Sequence, residues 1–227
     1  MQTHKNAALK EFIKRSLTGV VLLISFGGAY LHSALLFSLA LAVILIVTLI
    51  YEWPLLVTLS RPSRILFSIL YPGFPFGALV FLTLKYYQTD FYLPLFPIIT
   101  AWTADSGGYA VGKLIGYHKM CPSISPGKSW EGFAGSVLAV FVMYTLLLPH
   151  IHLFAHSIFA TSITARALFA LVMTSIAFVG GLFLSVLKRR RGLKDAGHIL
   201  PGHGGFLDRF DAVLFVALAT MLLVAGY

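Results

Sequence analysis

Between Gly19 and Tyr30, and again between Leu35 and Ile50, the chain carries no charged side chain. Backbone amides and carbonyls have no water to bond in hydrocarbon, so a run of this kind is a helix that satisfies itself. Crossing the hydrocarbon takes about 20 mostly apolar residues. Seven such runs lie near 17–33, 35–51, 64–84, 92–110, 132–149, 166–187 and 209–227. The third contains Pro72 and Pro75, which predict a kink. The fourth and the last take in Asp105 and the Asp208–Asp211 pair near one end. Composition agrees: 58% of residues are apolar and 11% charged, against roughly 45–50% and about 25% in a soluble domain. With a mean hydropathy of +0.87, a soluble globular enzyme and a disordered chain are both excluded. A single cysteine, Cys121, excludes an intrachain disulfide. The expected fold is all-α and polytopic, with about seven membrane helices. The first two and a basic surface helix make up residues 1–62, and a catalytic region makes up 63–227.

The net charge of +9 invites a nucleic-acid reading, which the placement of the charges rejects. With the N-terminus in the cytoplasm, fifteen of the seventeen Lys and Arg residues fall on the cytoplasmic side, and only Lys85 and Arg166 do not. That is the positive-inside pattern. The predicted location is a bacterial inner membrane, multi-pass, with both long polar stretches, 111–131 and 188–208, at the cytoplasmic face.

Only eight acids occur, and most gather at those stretches. Asp208 and Asp211, three apart, share one helical face, suited either to sharing a cation or to capping the helix N-terminus. Upstream lie Lys188, Arg189, Arg190, Arg191, Lys194 and Asp195, then Pro201-Gly202-His203-Gly204-Gly205. A basic patch on anionic lipid would account for the cations but not for the interspersed aspartates. Carboxylates for a hard cation, cations for phosphate oxygens and a glycine-rich turn together suit phosphoryl or nucleotidyl transfer. The other stretch contains Asp105-Ser106-Gly107-Gly108-Tyr109 and Ser125-Pro126-Gly127-Lys128-Ser129-Trp130-Glu131-Gly132. Gly127-Lys128-Ser129 is not a Walker A loop, because Pro122 stands where that loop needs glycine. Lys128 reads as a phosphate ligand or an ordinary cytoplasmic lysine. Ser185, taken alone, is a helix-packing serine. His150, His152 and His156 fit no common zinc spacing and read as a surface loop.

The 27-residue stretch from Ser185 through Lys188-Arg189, Lys194-Asp195, Gly197, Leu200-Pro201, His203-Gly204-Gly205 and Asp208-Arg209 to Asp211 resembles the signature of the phosphatidate cytidylyltransferase (CDP-diacylglycerol synthase) family. The blocks at 105–109 and 125–132 resemble further family blocks, and Tyr51-Glu52-Trp53 a shorter one. Two positions depart from the pattern: Gly127 replaces a usual lysine, and Ser129 a usual threonine whose hydroxyl it keeps. The resemblance implies condensation of CTP with phosphatidate to CDP-diacylglycerol and pyrophosphate, dependent on Mg²⁺ with or without a second cation, in a homodimer within the bilayer. It implies Asp208, Asp211 and Asp195 as metal ligands, with Lys194 and Ser185 also catalytic. Lys128, Glu131, Lys188, Arg189, His203, Gly204, Gly205, Arg209 and Asp105 would bind substrate. Asp208→Asn and Asp211→Asn should then each abolish turnover without lowering yield. A CTP-dependent lipid-alcohol kinase would lack this signature, and a transporter would carry its acids nearer mid-membrane.

Overall fold

The computed structural model describes the backbone of residues 2–225 and the side chains of residues 17–225. The side chains of the basic segment expected on the membrane surface, 1–16, lie outside the described residues, as do 226–227. The chain begins with α1 (Gln2–His32), and Ser33 separates it from α2 (Ala34–Val47). Ser33 is extended (ψ 152°), and its hydroxyl accepts the Leu36 amide at 3.1 Å, capping the new helix. One π turn, Thr48–Glu52, carries α2 into α3 (Trp53–Leu56). The third apolar run is two helices, α4 (Arg61–Ser68) and α5 (Phe74–Tyr86). The expected kink falls between them, where Tyr71 is extended (φ −155°, ψ 124°) and the Tyr71–Pro72 bond is cis.

After α6 (Phe96–Ile115) the chain forms an antiparallel hairpin, β1 (Lys119–Cys121) with β2 (Ser125–Ser129). Its Gly127-Lys128-Ser129 end runs straight into α7 (Trp130–Leu147), whose first turn Ser129 caps by accepting the Gly132 amide at 3.2 Å. Two short helices, α8 (His152–Ala155) and α9 (Ile158–Thr161), lead to α10 (Ile163–Arg190), and α11 (Leu207–Ala225) follows the loop 191–206. The chain is thus nearly all-α, as expected, apart from the hairpin. Four described stretches are long and apolar enough to cross a membrane: Ala34–Leu56, Arg61–Tyr86, Trp130–His150 and Ile163–Arg190. Leu17–His32 is a shorter apolar helix. Many outward side chains on these helices are apolar, Ile24 at 68% and Val43 at 58% exposure among them, which fits a membrane protein.

The packing sorts the molecule into two ends. α6 and α7 meet along a seam of small residues: a Cβ on Gly107 would come within 2.5 Å of the Ala139 Cβ, and one on Gly135 within 2.5 Å of Val111. α11 packs against α10, α6 and α5, and so sits between the two halves of the helix set. Phe96 of α6, Tyr144 of α7 and Phe169 of α10 stack on one another in the core, with Phe96 and Tyr144 centroids 5.2 Å apart. At one end, Asp90 accepts the Leu153 amide at 3.0 Å and ties the α5–α6 connection to α8. At the other, Arg189 donates to the Ile124 carbonyl at 3.2 Å and ties the end of α10 to the hairpin. Arg189 also donates to the Leu193 carbonyl at 3.1 Å, so the hairpin and the start of the 191–206 loop meet at this end.

Candidate functional site

The sequence signature folds into a small network around Asp208. Its Oδ1 takes the Lys188 ammonium at 2.6 Å, across from α10, with the two side chains only 5% and 13% exposed. Its Oδ2 accepts two backbone amides, Ala196 at 2.7 Å and Gly205 at 2.9 Å. Both oxygens are therefore engaged, and one aspartate ties α10, the 191–206 loop and the start of α11 together. Gly204 sits within this network with φ +81°, and a Cβ there would lie 2.8 Å from Asp208 Oδ2. Only glycine suits both the left-handed backbone and the space.

Asp211, one turn further along α11, is differently placed. The hydrogen bond it makes is to the amide of its own neighbour, Ala212, at 2.7 Å. It feels the charges of Asp105 from α6, Lys188 from α10 and Lys128 from the hairpin. Lys128 donates to the Phe178 carbonyl at 3.3 Å and lies 4.3 Å from that ring's centroid. A Cβ on Gly181 would meet the Lys128 ammonium at 2.9 Å and Asp211 Oδ2 at 3.6 Å, so this glycine keeps the space where the two converge. Burial, the largest influence on Lys128, pushes its ammonium below the ordinary lysine range, while Asp105 and Asp211 pull it back up. Asp105 and Lys128 line a cavity of about 310 Å³ between α6, the hairpin, α7 and α10, whose wall includes Phe133, Phe178 and Thr174. The Thr174 hydroxyl is buried there without a hydrogen-bond partner among the described residues.

Other expected site residues are occupied locally. Ser185 donates back to the Gly181 carbonyl at 2.7 Å, the helical bond expected of a packing serine. Glu131 takes His118 Nδ1 at 2.5 Å and the His118 amide at 3.2 Å, and so braces the hairpin. Arg189 holds the Ile124 and Leu193 carbonyls, and Arg209 the His203 carbonyl at 3.1 Å. The His203 ring lies against Gly19 of α1, with its buried Nδ1 unpartnered among the described residues. Lys194 is exposed and Asp195 half-buried beside Gly204.

Glu52 is the residue that the site assignment omits. It is fully buried, and its carboxylate accepts the Phe206 amide at 2.7 Å and the Leu207 amide at 2.8 Å. The available signal is an acid closing an otherwise uncharged apolar run, a costly placement that implies a partner.

Among the described residues no three His, Cys, Asp or Glu side chains converge as a metal cage. Mg²⁺ is commonly held by one or two carboxylates together with substrate phosphates. Asp105 and Asp211 supply hard oxygen donors of that kind, near Lys128 but in no ion pair among the described residues, so the residues present fit such an ion.

The chain is thus helical and of membrane type, with acids and cations interleaved at one end. Comparison with known proteins gives the family: the cytidylyltransferase family model matches residues 4–226, and the chain belongs to that family. A phosphatidate cytidylyltransferase of Rickettsia conorii is 31% identical over 215 residues, covering 92% of this chain and 89% of the relative. Those of Bacillus subtilis (41% over 125 residues) and Staphylococcus haemolyticus (40% over 131 residues) match 52% and 57% of this chain. The matched regions span less than half of these last two relatives, 42% and 48%.

Proposed function

We propose that this protein condenses CTP with phosphatidate to give CDP-diacylglycerol and pyrophosphate, in phospholipid synthesis. The observation that carries the reading is the signature end of the molecule, where Asp211, Lys128, Lys188 and Asp105 sit within reach of one another's charge. A phosphatidate oxygen attacks the α-phosphorus of CTP, the new P–O bond forms, and the bond to the β-phosphate breaks to release pyrophosphate. The attacking oxygen is already ionised at neutral pH, so no side-chain base is needed. This suits a site built of Asp, Lys and Arg. The protein's task is to bring two anions together and hold the leaving pyrophosphate.

Lys128 and Lys188 neutralise phosphate oxygens, with Lys188 turning from Asp208 toward substrate. Arg189, Lys194 and Arg209 add charge around the mouth, and His203 with Gly204 and Gly205 shapes the triphosphate side. Asp211 would be the principal Mg²⁺ ligand, with Asp105 and Asp195 as further carboxylates, while Asp208, whose oxygens are both engaged, holds the loop and the start of α11 in place. When bound, the ion supplies charge neutralisation on the triphosphate. Phe133 and Phe178 give the cavity an apolar wall of the kind a nucleoside packs against.

The same reading places α1 through α11 in a bacterial inner membrane as about seven crossings, α6 and α11 being shielded by neighbours, with the N-terminus and the site cytoplasmic. The diacyl tails stay in lipid, and the protein works as a homodimer. Detergent-purified protein given phosphatidate, α-labelled CTP and Mg²⁺ tests the activity. Label entering a lipid-extractable product with pyrophosphate release, lost under EDTA, is the expected result. Well-folded protein that labels no lipid sinks the reading.

A further inference from the structure

Tyr51-Glu52-Trp53 is the sequence block that the proposed chemistry does not use. Its acid is nonetheless among the most completely engaged side chains of the protein. Glu52 comes from the π turn after α2 and reaches across 154 residues of chain to the amides of Phe206 and Leu207, where the loop enters α11. It uses one carboxylate oxygen for Phe206 and the other for Leu207. Those amides immediately precede Asp208.

Two signature glycines are shaped by the same carboxylate. A Cβ on Gly205 would stand 2.7–2.8 Å from the carboxyl carbon and both oxygens of Glu52, and one on Gly197 would stand 2.9 Å from its Cγ. Their smallness is thus accounted for by a protein carboxylate, with no phosphate required. Arg191 adds a parallel tie, donating to the Leu55 carbonyl at 3.1 Å.

We propose that Glu52 is a positioning residue, whose carboxylate fixes the start of α11 and thereby the placement of Asp208 and Asp211 against Lys188 and Lys128. This rests on the cytidylyltransfer reading for its effect on turnover, but not for its effect on the backbone. Two adjacent amides aimed at one carboxylate define the entry direction of the helix. Asp208 and Asp211 follow within the next turn, so a shift of the first turn moves both.

Glu52→Gln keeps the size but offers a single acceptor oxygen, setting an NH₂ group against the second amide. The expected result is faster hydrogen–deuterium exchange at Phe206 and Leu207 together with a lower melting temperature, since the NH₂ group leaves a buried amide without an acceptor. Per folded molecule, kcat falls about 30- to 100-fold, the scale of a small misplacement at a reacting centre. The phosphatidate KM stays within about twofold, since the placement of α11 bears on orientation more than on holding lipid. Gly205→Ala attacks the same contact from the other side and gives the same pattern. Combined with Glu52→Gln it costs less than the two losses multiplied, because both act through one contact. Unchanged exchange at 206–207 in Glu52→Gln overturns the proposal. So does wild-type kcat in the folded fraction. If the wild-type protein itself forms no CDP-diacylglycerol, the reaction reading fails, and the exchange measurement alone decides the role of Glu52.

Discussion

Four acids meet near the start of α11, in two pairs that the structure treats oppositely. Glu52 and Asp208 have both oxygens committed, to the Phe206 and Leu207 amides in one case and to Lys188, Ala196 and Gly205 in the other. Asp105 makes no hydrogen bond among the described residues, and Asp211 bonds the amide next to it. The first pair holds the loop and the helix start in place. The second faces Lys128 with oxygens available to a ligand. A carboxylate's type and motif therefore do not decide its role; what else reaches its oxygens does.

The sharpest way to break this contrast is to change Asp208. Sequence alone predicts that Asp208→Asn ends turnover with yield intact. The structure predicts a second loss, since the variant strands a nearly buried Lys188 ammonium. Removing one partner of a buried pair costs about 3–5 kcal/mol. Thermal melting in detergent should show a clear drop, and Lys188→Met combined with Asp208→Asn should recover much of it without activity. A variant that melts like the wild type would mean that Asp208 belongs with the free pair.

Asp211→Asn sets the other limit. Turnover should fall by about 10²- to 10³-fold, the scale of losing a main electrostatic contact, with melting unchanged. A large fall in melting temperature would move Asp211 to the holding pair. A smaller effect comes from the seam behind Asp105. Gly107→Val pushes a side chain into Ala139 and the Gly135 carbonyl, and overpacking of this kind costs about 1–3 kcal/mol. Activity should decline only as far as Asp105 is displaced, which a comparison with Asp105→Asn would separate.

The smallest expected effect is a pH dependence at Lys128. Burial holds its folded pKa below that of the unfolded chain. Between the two values the unfolded state binds more protons, so stability rises with pH across that window. Lys128→Met should flatten that part of the stability profile relative to wild type. An identical slope in the variant would show Lys128 to be as well solvated folded as unfolded.

Much of the helical layout was legible beforehand. Of the seven expected crossings, four coincide with described stretches long and apolar enough to span a membrane, and the break at Tyr71–Pro72 lies where Pro72 predicted a kink. The hairpin was not, because Lys119–Cys121 and Ser125–Ser129 carry neither alternation nor β-branched residues. The glycines of 105–109 read as part of a chemical block, yet Gly107 and Gly108 face α7 and permit close helix contact. Glu52 was read only as part of a short family-like block, and its partners were not legible, since nothing local to residue 52 points to residues 206 and 207.

Apolar runs, helix caps and the clustering of acids with cations depend on residues a few positions apart, and the sequence by itself determined them. The tertiary structure alone decided which carboxylates hold the fold and which stay open. Those assignments depend on partners 20 residues away for Asp208 and 154 or 155 away for Glu52. A buried charge is defined by whatever the folded chain brings to it.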